Sequence, residues 1–403
     1  MKFIKDPVHG YIEVKSGMEE FLDSSPLQRL RHIRQLGFAY LVYPGANHSR
    51  FEHSLGTMHL ASLMCRNLDM DEEVSRTVSV AALLHDCGHG PFSHATEAFM
   101  KEYTGRGHEQ IEHLLTSEPL GSLLEDASIN PQEIGEILEG RHPLSTIIHG
   151  DLDVDRMDYL LRDAHYTGVP YGTVDAQRLI QNTLLSDQGL VLEEGGINAA
   201  ESLLIARTLM RPAVYTHHVN RIATSMVQRA LVEEYAGKKP AVIHDLMQKD
   251  DSALMFALLH SSRKIPAMLA ERVYSRNLYK RAIFAGPDRV NVTTLQAEVS
   301  LHGERRIATE IARRAGVERW QVLVDIPFLP ADLSMGVTVR NRHMVSPLSK
   351  LSPIVEALNQ MRKAQWRAGV YAPTEVKKRV EEAANEVLHV KKVTKQNRLS
   401  IGS

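Results

Sequence analysis

The chain has 403 residues, of which 43% are hydrophobic, so it is long enough for roughly two to three domains with sizeable cores. Its formal net charge of −2 lacks the basic excess that binds nucleic acid or an anionic membrane surface, and we expect neither partner. Two cysteines, no apolar secretory segment and no apolar run near the roughly 18 residues of a membrane span predict a cytoplasmic protein without a disulfide framework or a cysteine-built zinc site.

Helical periodicity dominates residues 19–235, and we predict a first domain over residues 1–235. One face of the helix before residue 86 repeats at spacings of three and four: Val74, Val78, Ala81, Ala82 and His85. Its start can be capped by Asp69 or Asp71, and its end can turn at Gly88 and Gly90. Residues 184–192 resemble strands interrupted at 187–189, which predicts a small hairpin.

The second half of the chain has a different pattern. Residues 236–290 are helical and charged, and we predict a support region there. Residues 291–403 contain β-branched runs at 322–326 and 336–339, followed by two amphipathic helices. One helix begins at Ser352-Pro353, and the other carries Val376, Val380, Ala383 and Val387. We therefore predict a mostly α fold with a helical core domain, a smaller C-terminal α+β domain over 291–403, and a frayed basic tail from Lys391.

Chemically versatile side chains concentrate in the first domain, where 15 of the 20 histidines precede residue 221. His85 and Asp86 close the apolar helix, in Leu83-Leu84-His85-Asp86-Cys87-Gly88-His89-Gly90, and put an imidazole beside a carboxylate at a turn. A His-Asp pair alone carries little weight, because about one should arise by chance in a chain this rich in histidine. His244-Asp245 is such a pair without a glycine turn or neighbouring histidines, and we interpret it as structural.

Four side chains form our predicted metal-ligand set: His53, His85, Asp86 and Asp155. Two imidazoles and two carboxylates suit iron, manganese, magnesium or zinc without choosing among them. One such divalent ion polarises a phosphoryl oxygen and lowers the pKa of water towards neutrality. Taken singly, each residue has an ordinary alternative as a core histidine bonded to carbonyl groups or a helix-capping aspartate. Several imidazoles beside carboxylates nevertheless need a reason to converge.

Two helical stripes can line a pocket around this metal. The first recurs at intervals of four and has arginines beside it: Asp155, Tyr159, Asp163, Arg156 and Arg162. The second includes a proline that predicts a kink or a helix start: Arg207, Arg211, Pro212 and Tyr215. Guanidinium groups match phosphate oxygens bidentately, although such stripes also occur as surface ion pairs.

Three further histidines are candidates for proton transfer, because the unperturbed pKa of histidine lies near neutrality: His89, His94 and His108. Glu97 follows His94 by three residues on a predicted helix, where it can orient that imidazole. The alternative for each histidine is a solvent-exposed side chain without a role.

Several blocks of sequence resemble the HD-domain phosphohydrolases, and more narrowly the deoxynucleoside triphosphate triphosphohydrolases related to the SAM-and-HD-domain enzyme. The blocks are Asp6-Pro7-Val8-His9-Gly10, Gln28-Arg29-Leu30-Arg31, Gln35-Leu36-Gly37, Pro44-Gly45-Ala46, Arg50-Phe51-Glu52-His53-Ser54-Leu55-Gly56, His85-Asp86-Cys87-Gly88-His89-Gly90-Pro91-Phe92-Ser93-His94 and Asp153-Val154-Asp155-Arg156-Met157-Asp158-Tyr159. They cover roughly the first 235 residues.

The resemblance implies a mostly helical domain whose single metal is held by the four predicted ligands. Water would attack the α-phosphorus of a deoxynucleoside triphosphate and release deoxynucleoside and tripolyphosphate. The likeness makes His94, supported by Glu97, a proton donor, and it lays His89 and His108 along the triphosphate. Three arginines would hold phosphate oxygens: Arg50, Arg156 and Arg207.

Around the sugar, the resemblance implies a pocket that excludes ribose. Tyr159 would pack in the pocket, Gln35 and Asp163 would meet the 3′-hydroxyl, and Leu36 with Tyr215 would crowd the 2′ position. The chain departs from the best-known members at three positions, with Glu97 in place of Asp, Arg156 in place of Lys and Arg211 in place of His. These departures bear on how the substrate is held.

Regulation and assembly are also implied by likeness alone. Some relatives are activated by a guanine nucleotide bound between subunits, and Lys2, Asp23 and Arg31 match positions of that site. The resemblance thus predicts an activating nucleotide, a subunit interface formed by residues 1–18, and a homodimer or homotetramer.

Two other functions stay open at this point. One is an HD phosphodiesterase or nucleotidase acting on nucleoside monophosphates or cyclic phosphates, against which the supply of arginines argues mildly, since three phosphates need more cations than one. The other is a catalytically inert nucleotide-binding regulatory protein, against which the intact ligand set argues.

Overall fold

The computed structural model describes residues 2–186, 189–333, 336–341 and 344–391. They divide into two compact units. The first comprises Met1–Asn220, Gly237–Ala257 and Asp332–Asn359, and the second comprises Arg221–Ala236, Leu258–Ala331 and Gln360–Ser403. Each unit is built from three segments that do not end at 235 or 290, and the domain boundaries at those two positions stay a prediction. Two details of the sequence analysis, the break at 187–188 and the tail beyond 391, lie outside the described residues.

Helices predominate, which confirms the prediction of a mostly α fold. In chain order they are α1 (Glu19–Asp23), α2 (Ser25–Arg29), α3 (Arg50–Asn67), α4 (Glu72–Leu84), α5 (His94–Thr104), α6 (Glu112–Leu115), α7 (Leu120–Asp126), α8 (Pro131–Leu138), α9 (Ser145–Ile148), α10 (Val154–Thr167), α11 (Ala176–Gln181), α12 (Ile197–Met210), α13 (His218–Tyr235), α14 (Pro240–Met247), α15 (Asp251–Leu259), α16 (Lys264–Tyr274), α17 (Val292–Gln296), α18 (Leu301–Ala315), α19 (Leu348–Leu351), α20 (Pro353–Gln365) and α21 (Lys377–Val387). Within the described ranges, no helix is both long and apolar enough to cross a membrane.

The strands form three small sheets. They are β1 (Lys2–Asp6), β2 (Gly10–Val14), β3 (Thr183–Ser186), β4 (Gly189–Glu193), β5 (Lys280–Ala285), β6 (Leu323–Asp325), β7 (Thr338–Arg340), β8 (Val345–Pro347) and β9 (Ala368–Ala372). β1 and β2 pair as an antiparallel hairpin that the sequence analysis did not predict, whereas the predicted hairpin at 184–192 is confirmed as β3 and β4. The second sheet has the order β3-β4-β7-β8, and the third has the order β5-β9-β6.

The two strands predicted in the C-terminal region belong to different sheets. β6 pairs antiparallel with β9, but β7 runs parallel to β4, with Leu192 opposite Val339. β7 therefore pairs with the β3–β4 hairpin, and the bounds of the predicted C-terminal domain stay a prediction. A period-two pattern shows that a segment is a strand but carries no information about a partner some 150 residues away.

The core of the first unit includes α3, α4 and α10, which hold the predicted metal ligands or end beside them. α3 begins with a capping box in which the Ser49 N–H donates to Glu52 and the Glu52 carboxylate also accepts from the Ser49 hydroxyl. Asp71, not Asp69, caps α4 by accepting from the Val74 N–H at 2.9 Å. α4 is buried from Thr77 to Leu84, so the end of the helix, and His85 after it, lie inside the unit.

The second unit has its own apolar core around the sheet β5-β9-β6 and helices α18 and α21. Arg221 donates to Asp325 at 2.7 Å, and the Tyr371 hydroxyl donates to the same carboxylate oxygen at 2.7 Å. This half-buried carboxylate has two strong donors, so we assign the group a structural role.

Candidate metal centre and active site

The four predicted metal ligands converge inside the first unit. His53 comes from α3, His85 and Asp86 follow the end of α4, and Asp155 lies in the first turn of α10. The two imidazole Nε2 atoms are 3.3 Å apart. His85 Nε2 lies 3.3 Å from Asp86 Oδ1, and His53 Nε2 lies 2.9 Å from Asp155 Oδ1. Groups spread over about a hundred positions of sequence therefore share one point in space.

Hydrogen bonds behind the cluster determine which imidazole nitrogen faces it. The Nδ1–H of His85 donates to the carbonyl oxygen of Ala82 at 2.7 Å, and that of His53 donates to Asp158 Oδ2 at 2.7 Å. Neither acceptor can donate in return, so each Nδ1 keeps its proton and Nε2 is the nitrogen that faces the shared point and is left to bind a metal. Outer hydrogen bonds of this kind accompany most metal-binding histidines.

The electrostatics of the cluster favour a cation. Burial alone would lower the pKa of His53, but its hydrogen bonds to Asp155 and Asp158 raise that pKa to about 10. Burial raises the pKa of the Asp86 carboxyl, yet Arg50 and the two histidines bring it well below its usual range. The site thus stabilises positive charge strongly, and two imidazole nitrogens with two carboxylates are a fitting donor set for a divalent metal.

Asp158 is a residue that the sequence analysis missed. Its buried carboxylate accepts from His53, from His9 Nε2 at 2.6 Å, and from Arg162 through Nε and Nη2 at 2.9 and 2.8 Å. A Cβ at Gly56 would meet Asp158 Oδ1 at 1.9 Å, so only glycine fits there. The spacing of four between Asp158 and Arg162 was visible in the sequence, but their orientation towards α3 was not.

Arg50 lies against the metal ligands. Its guanidinium, 2% exposed, donates from Nη1 to Asp86 Oδ2 at 2.6 Å and from Nε to Ser93 Oγ at 2.7 Å. The arginine therefore orients one oxygen of a metal ligand while holding the residue before His94. Its predicted role towards phosphate stays a prediction.

The structure brings the three other histidines together beside the metal cluster. The rings of His89 and His108 stack with centroids 3.8 Å apart, and the His94 ring stands at 4.8 Å from His89. Glu97 accepts from Nδ1 of both His94 and His108 at 2.7 Å. Burial raises the pKa of Glu97, but the two imidazoles lower it far below its usual value. One carboxylate therefore orients two imidazoles, where we predicted that it would orient one.

His89 differs from the other two histidines because it is almost completely buried. It is 1% exposed, and burial together with Arg50 lowers its pKa well below the ordinary value. Its Nε2 lies 3.4 Å from Asp86 Oδ1, whereas the His94 side chain is 66% exposed. At neutral pH His89 is therefore an uncharged contact to the metal cluster, and His94 is the most exposed of the three imidazoles.

Residues predicted for the sugar pocket gather around Asp163. The Tyr215 hydroxyl donates to Asp163 Oδ2 at 2.9 Å, and His48 Nε2 lies 2.8 Å from Oδ1. The Gln35 N–H donates to the His48 carbonyl at 3.0 Å, and the Gln35 Oε1 atom is buried without a hydrogen-bond partner in the described chain. The Tyr159 and Tyr215 rings meet edge to face at 5.9 Å. His48, which contacts the Asp163 carboxylate, is a second residue to which the sequence analysis assigned no role.

The two remaining phosphate candidates are each paired with an aspartate. Arg156 donates to Asp153 and to the carbonyl of Gly150, and Arg207 Nη1 lies 3.8 Å from Asp151 Oδ1. Arg156 also lines a cavity of about 440 Å³ in the first unit, together with Gly150 and Asp151. The chain from Arg211 to Tyr215 forms a wide π turn after α12, at the place where Pro212 predicted a kink or a helix start.

The other predicted positions lie at the surface. Lys2 is exposed on β1, Asp23 is exposed at the end of α1, and the Arg31 guanidinium stacks over the Phe51 ring at 3.5 Å. Nothing in this arrangement tests a nucleotide site, which stays a prediction. Asp245 of the control pair is exposed, and His244 meets His113 edge to face, which agrees with a structural role.

Comparison with known families matches an HD domain over residues 50–163 and an HD associated region over residues 174–399. All four candidate ligands fall within the first match. An uncharacterized protein of Methanocaldococcus jannaschii is 37% identical over 95% of this chain and 81% of its own length.

Some of the curated relatives carry a name that states an activity. The deoxynucleoside triphosphate triphosphohydrolase SAMHD1 of Gallus gallus is 29% identical over 72% of this chain, and the SAMHD1 homolog of Dictyostelium discoideum is 31% identical over 73%. The chain spans 57% and 61% of the lengths of these two proteins.

Among solved structures, a hypothetical protein from Aquifex aeolicus superposes with a TM-score of 0.77 at 28% identity, covering 95% of this chain and 99% of the other. A phosphohydrolase from Bacteroides thetaiotaomicron superposes with a TM-score of 0.72 at 24% identity, covering 93% and 99%, and supports the fold alone.

Proposed function

Because the chain belongs to the HD-domain family and carries the HD associated region, we propose that it is a metal-dependent deoxynucleoside triphosphate triphosphohydrolase. The proposed products are deoxynucleoside and tripolyphosphate. The observation that carries the proposal is the convergence of His53, His85, Asp86 and Asp155 beside a second set of imidazoles oriented by Glu97. The triphosphohydrolase names of two relatives support the choice of substrate.

The four ligands would hold one divalent ion of manganese, magnesium, iron or zinc. Bound there, the ion would supply Lewis acidity to an α-phosphoryl oxygen and acidify water for attack on phosphorus. Asp158 and the Ala82 carbonyl hold the two imidazoles in the required tautomer. Arg50 keeps the Asp86 carboxylate in place.

His94 is the proposed acid for the leaving 5′ oxygen. Its Nδ1–H is engaged by Glu97, and its exposed side chain leaves Nε2 accessible to substrate. His89 and His108 would lie along the triphosphate, with His89 uncharged. Arg50, Arg156 and Arg207, each of which pairs with an aspartate in the structure, would offer donors to phosphate oxygens.

The proposed sugar pocket selects a deoxyribose. Asp163, held by His48 and Tyr215, and the unpartnered oxygen of Gln35 would meet the 3′-hydroxyl. Leu36 and Tyr215 would occupy the space that a 2′-hydroxyl needs, with Tyr159 packed against Tyr215. Because no room would be left for a 2′-hydroxyl, the pocket would discriminate against ribonucleotides by steric exclusion.

For regulation we retain the expectation of an activating nucleotide at Lys2, Asp23 and Arg31 and of a homodimer or homotetramer. The exposure of Phe3 and Tyr11 on the β1–β2 hairpin, 58% and 66%, supports an interface formed by residues 1–18.

Incubation of the purified protein with each dNTP and NTP, in manganese or magnesium, tests the proposal. Chromatography should detect deoxynucleoside and intact tripolyphosphate from dNTPs, no product with Asp155→Ala, and wild-type turnover with the matched surface variant Asp245→Asn. Hydrolysis of nucleoside monophosphates or cyclic phosphates alone would indicate a phosphodiesterase or nucleotidase. Nucleotide binding without any product would indicate an inert regulatory protein.

A further inference from the structure

The two residues directly before His94 have an unusual backbone. Phe92 and Ser93 both have φ near +58°, a left-handed region that residues with a Cβ seldom adopt. Neither is glycine or asparagine, and two in succession are rarer still. A strained turn persists only where its surroundings determine it, and such turns concentrate at functional sites. Groups around this turn must therefore hold it in its conformation.

Asp251, the first residue of α15, reaches this turn from about 160 positions away in sequence. Its carboxylate is 2% exposed. One oxygen accepts from the Phe92 N–H at 2.6 Å, and the other accepts from the Arg34 N–H at 3.0 Å. The Arg34 guanidinium lies 3.6 Å from the second oxygen. The carboxylate thus joins two loops of the first unit through their backbones.

Ser93 closes this arrangement into a ring of hydrogen bonds. Its hydroxyl donates to the Arg34 carbonyl at 2.6 Å and accepts from Arg50 Nε at 2.7 Å. Arg50 in turn donates to the metal ligand Asp86 at 2.6 Å. The Phe92 ring stacks on Phe38 at 4.4 Å. A displacement of the turn would therefore move both the start of α5, where His94 lies, and the Arg50 side chain.

We propose that Asp251 is a positioning residue, which holds the strained turn and through it His94 in the geometry needed for hydrolysis. The inference rests on the proposed role of His94. Asp251 lies within the HD associated region, 174–399, whereas Phe92 and Arg50 lie within the HD match, 50–163. The associated region thereby contributes a residue to the active-site loop of the HD domain.

Asp251→Asn with Asp250→Ala as its matched control tests the proposal. Asparagine keeps the size of the side chain but has one acceptor oxygen for two backbone N–H donors. Asp250 is the adjacent residue, and its carboxylate accepts from the Ala253 N–H at 2.8 Å, so it caps the same helix without touching the turn. Asp251→Asn should lower kcat by about 10-fold or more, with KM and bound metal nearly unchanged, while Asp250→Ala should lower the melting temperature and leave kcat intact.

A double-mutant cycle separates positioning from a general loss of structure. If Asp251 acts through His94, Asp251→Asn should lower the residual kcat of His94→Ala by less than about twofold. An equal loss in both backgrounds, or a kcat of Asp251→Asn like that of wild type, would overturn the proposal.

Hydrogen exchange keeps the test independent of the reaction. The amide protons of Phe92 and Arg34 should exchange at least about 10-fold faster in Asp251→Asn than in wild type and in Asp250→Ala. If the wild type hydrolyses no nucleotide, the proposed function fails, but this exchange result still decides whether Asp251 holds the turn. Unchanged exchange at both amides would refute it.

Discussion

The Asp158→Asn variant perturbs the metal site without removing a ligand. The Asp158 carboxylate accepts four hydrogen bonds, two at each oxygen, from His9, His53 and Arg162. A carboxamide has one acceptor oxygen, so two of the four donors lose their partner. If the amide nitrogen faces His53, the imidazole proton must move to Nε2, where it blocks the ligand lone pair.

Two magnitudes follow from this geometry. Loss of an outer hydrogen-bond partner of a ligating histidine costs about 10- to 100-fold in metal affinity, or about 1.4–2.7 kcal/mol. The variant also removes the charge partner of Arg162, which is 0% exposed, and a broken buried pair costs about 3–5 kcal/mol of folding stability. Arg162 keeps its 2.8 Å bond to Asp6, so the lower end of that range is expected.

Metal affinity is measured by titration calorimetry and by competition with a chelator, at a temperature where circular dichroism shows the variant to be folded. Asp245→Asn, the same substitution on the exposed residue of the structural His-Asp pair, is the control and should match wild type. A folded Asp158→Asn protein that binds the ion within about threefold of wild type would refute the reasoning that Asp158 sets the His53 tautomer.

Three further predictions can be tested with single variants. Asp155→Ala should lose bound metal and turnover together, whereas His94→Ala should retain metal, by mass spectrometry, and lose about 10²–10⁴ in kcat; metal loss in the second variant would contradict the assignment. Burial raises the pKa of Asp251 to about 6 from its ordinary 3.8, so the folded state binds the carboxyl proton more tightly than the unfolded state does. The stability that this proton contributes is complete below about pH 4 and is lost as the pH rises through about 6. Urea unfolding should therefore show the stability of wild type relative to Asp251→Asn falling by about 3 kcal/mol between about pH 4 and pH 7, and a constant difference would contradict this. Leu36→Ala should lower the ratio of dNTP to NTP turnover by about 10-fold, and an unchanged ratio would remove Leu36 from sugar selection.

The sequence was most informative where chemistry and local pattern coincide. The helical period before His85, the glycines after Asp86 and the predicted α-helix carrying His94 and Glu97 all depend on neighbours within a few residues, and the structure has these elements. A Cβ at Gly88 would meet the His108 carbonyl at 2.0 Å, so the glycine turn also allows a close approach that spacing alone could not reveal.

Long-range partners could not be read from the chain. Asp158 was visible only as part of a helix, and its contact with His9 and His53 depends on how α10 packs against α3 and the β1–β2 hairpin. Asp251 lies in a segment whose pattern suggested support alone, because a carboxylate that bonds to backbone N–H groups leaves no complementary charge in the sequence. The periodicity of a helix shows which of its faces is buried, but only the packing of the folded chain shows which residues that face contacts.

Crystals grown with manganese would give the most direct test of the metal centre. Anomalous scattering at the manganese edge should give one peak bonded to Nε2 of His53 and His85 and to carboxylate oxygens of Asp86 and Asp155. A map without a peak at this point, or with a peak only at the cluster of His89, His94 and His108, would contradict the assignment.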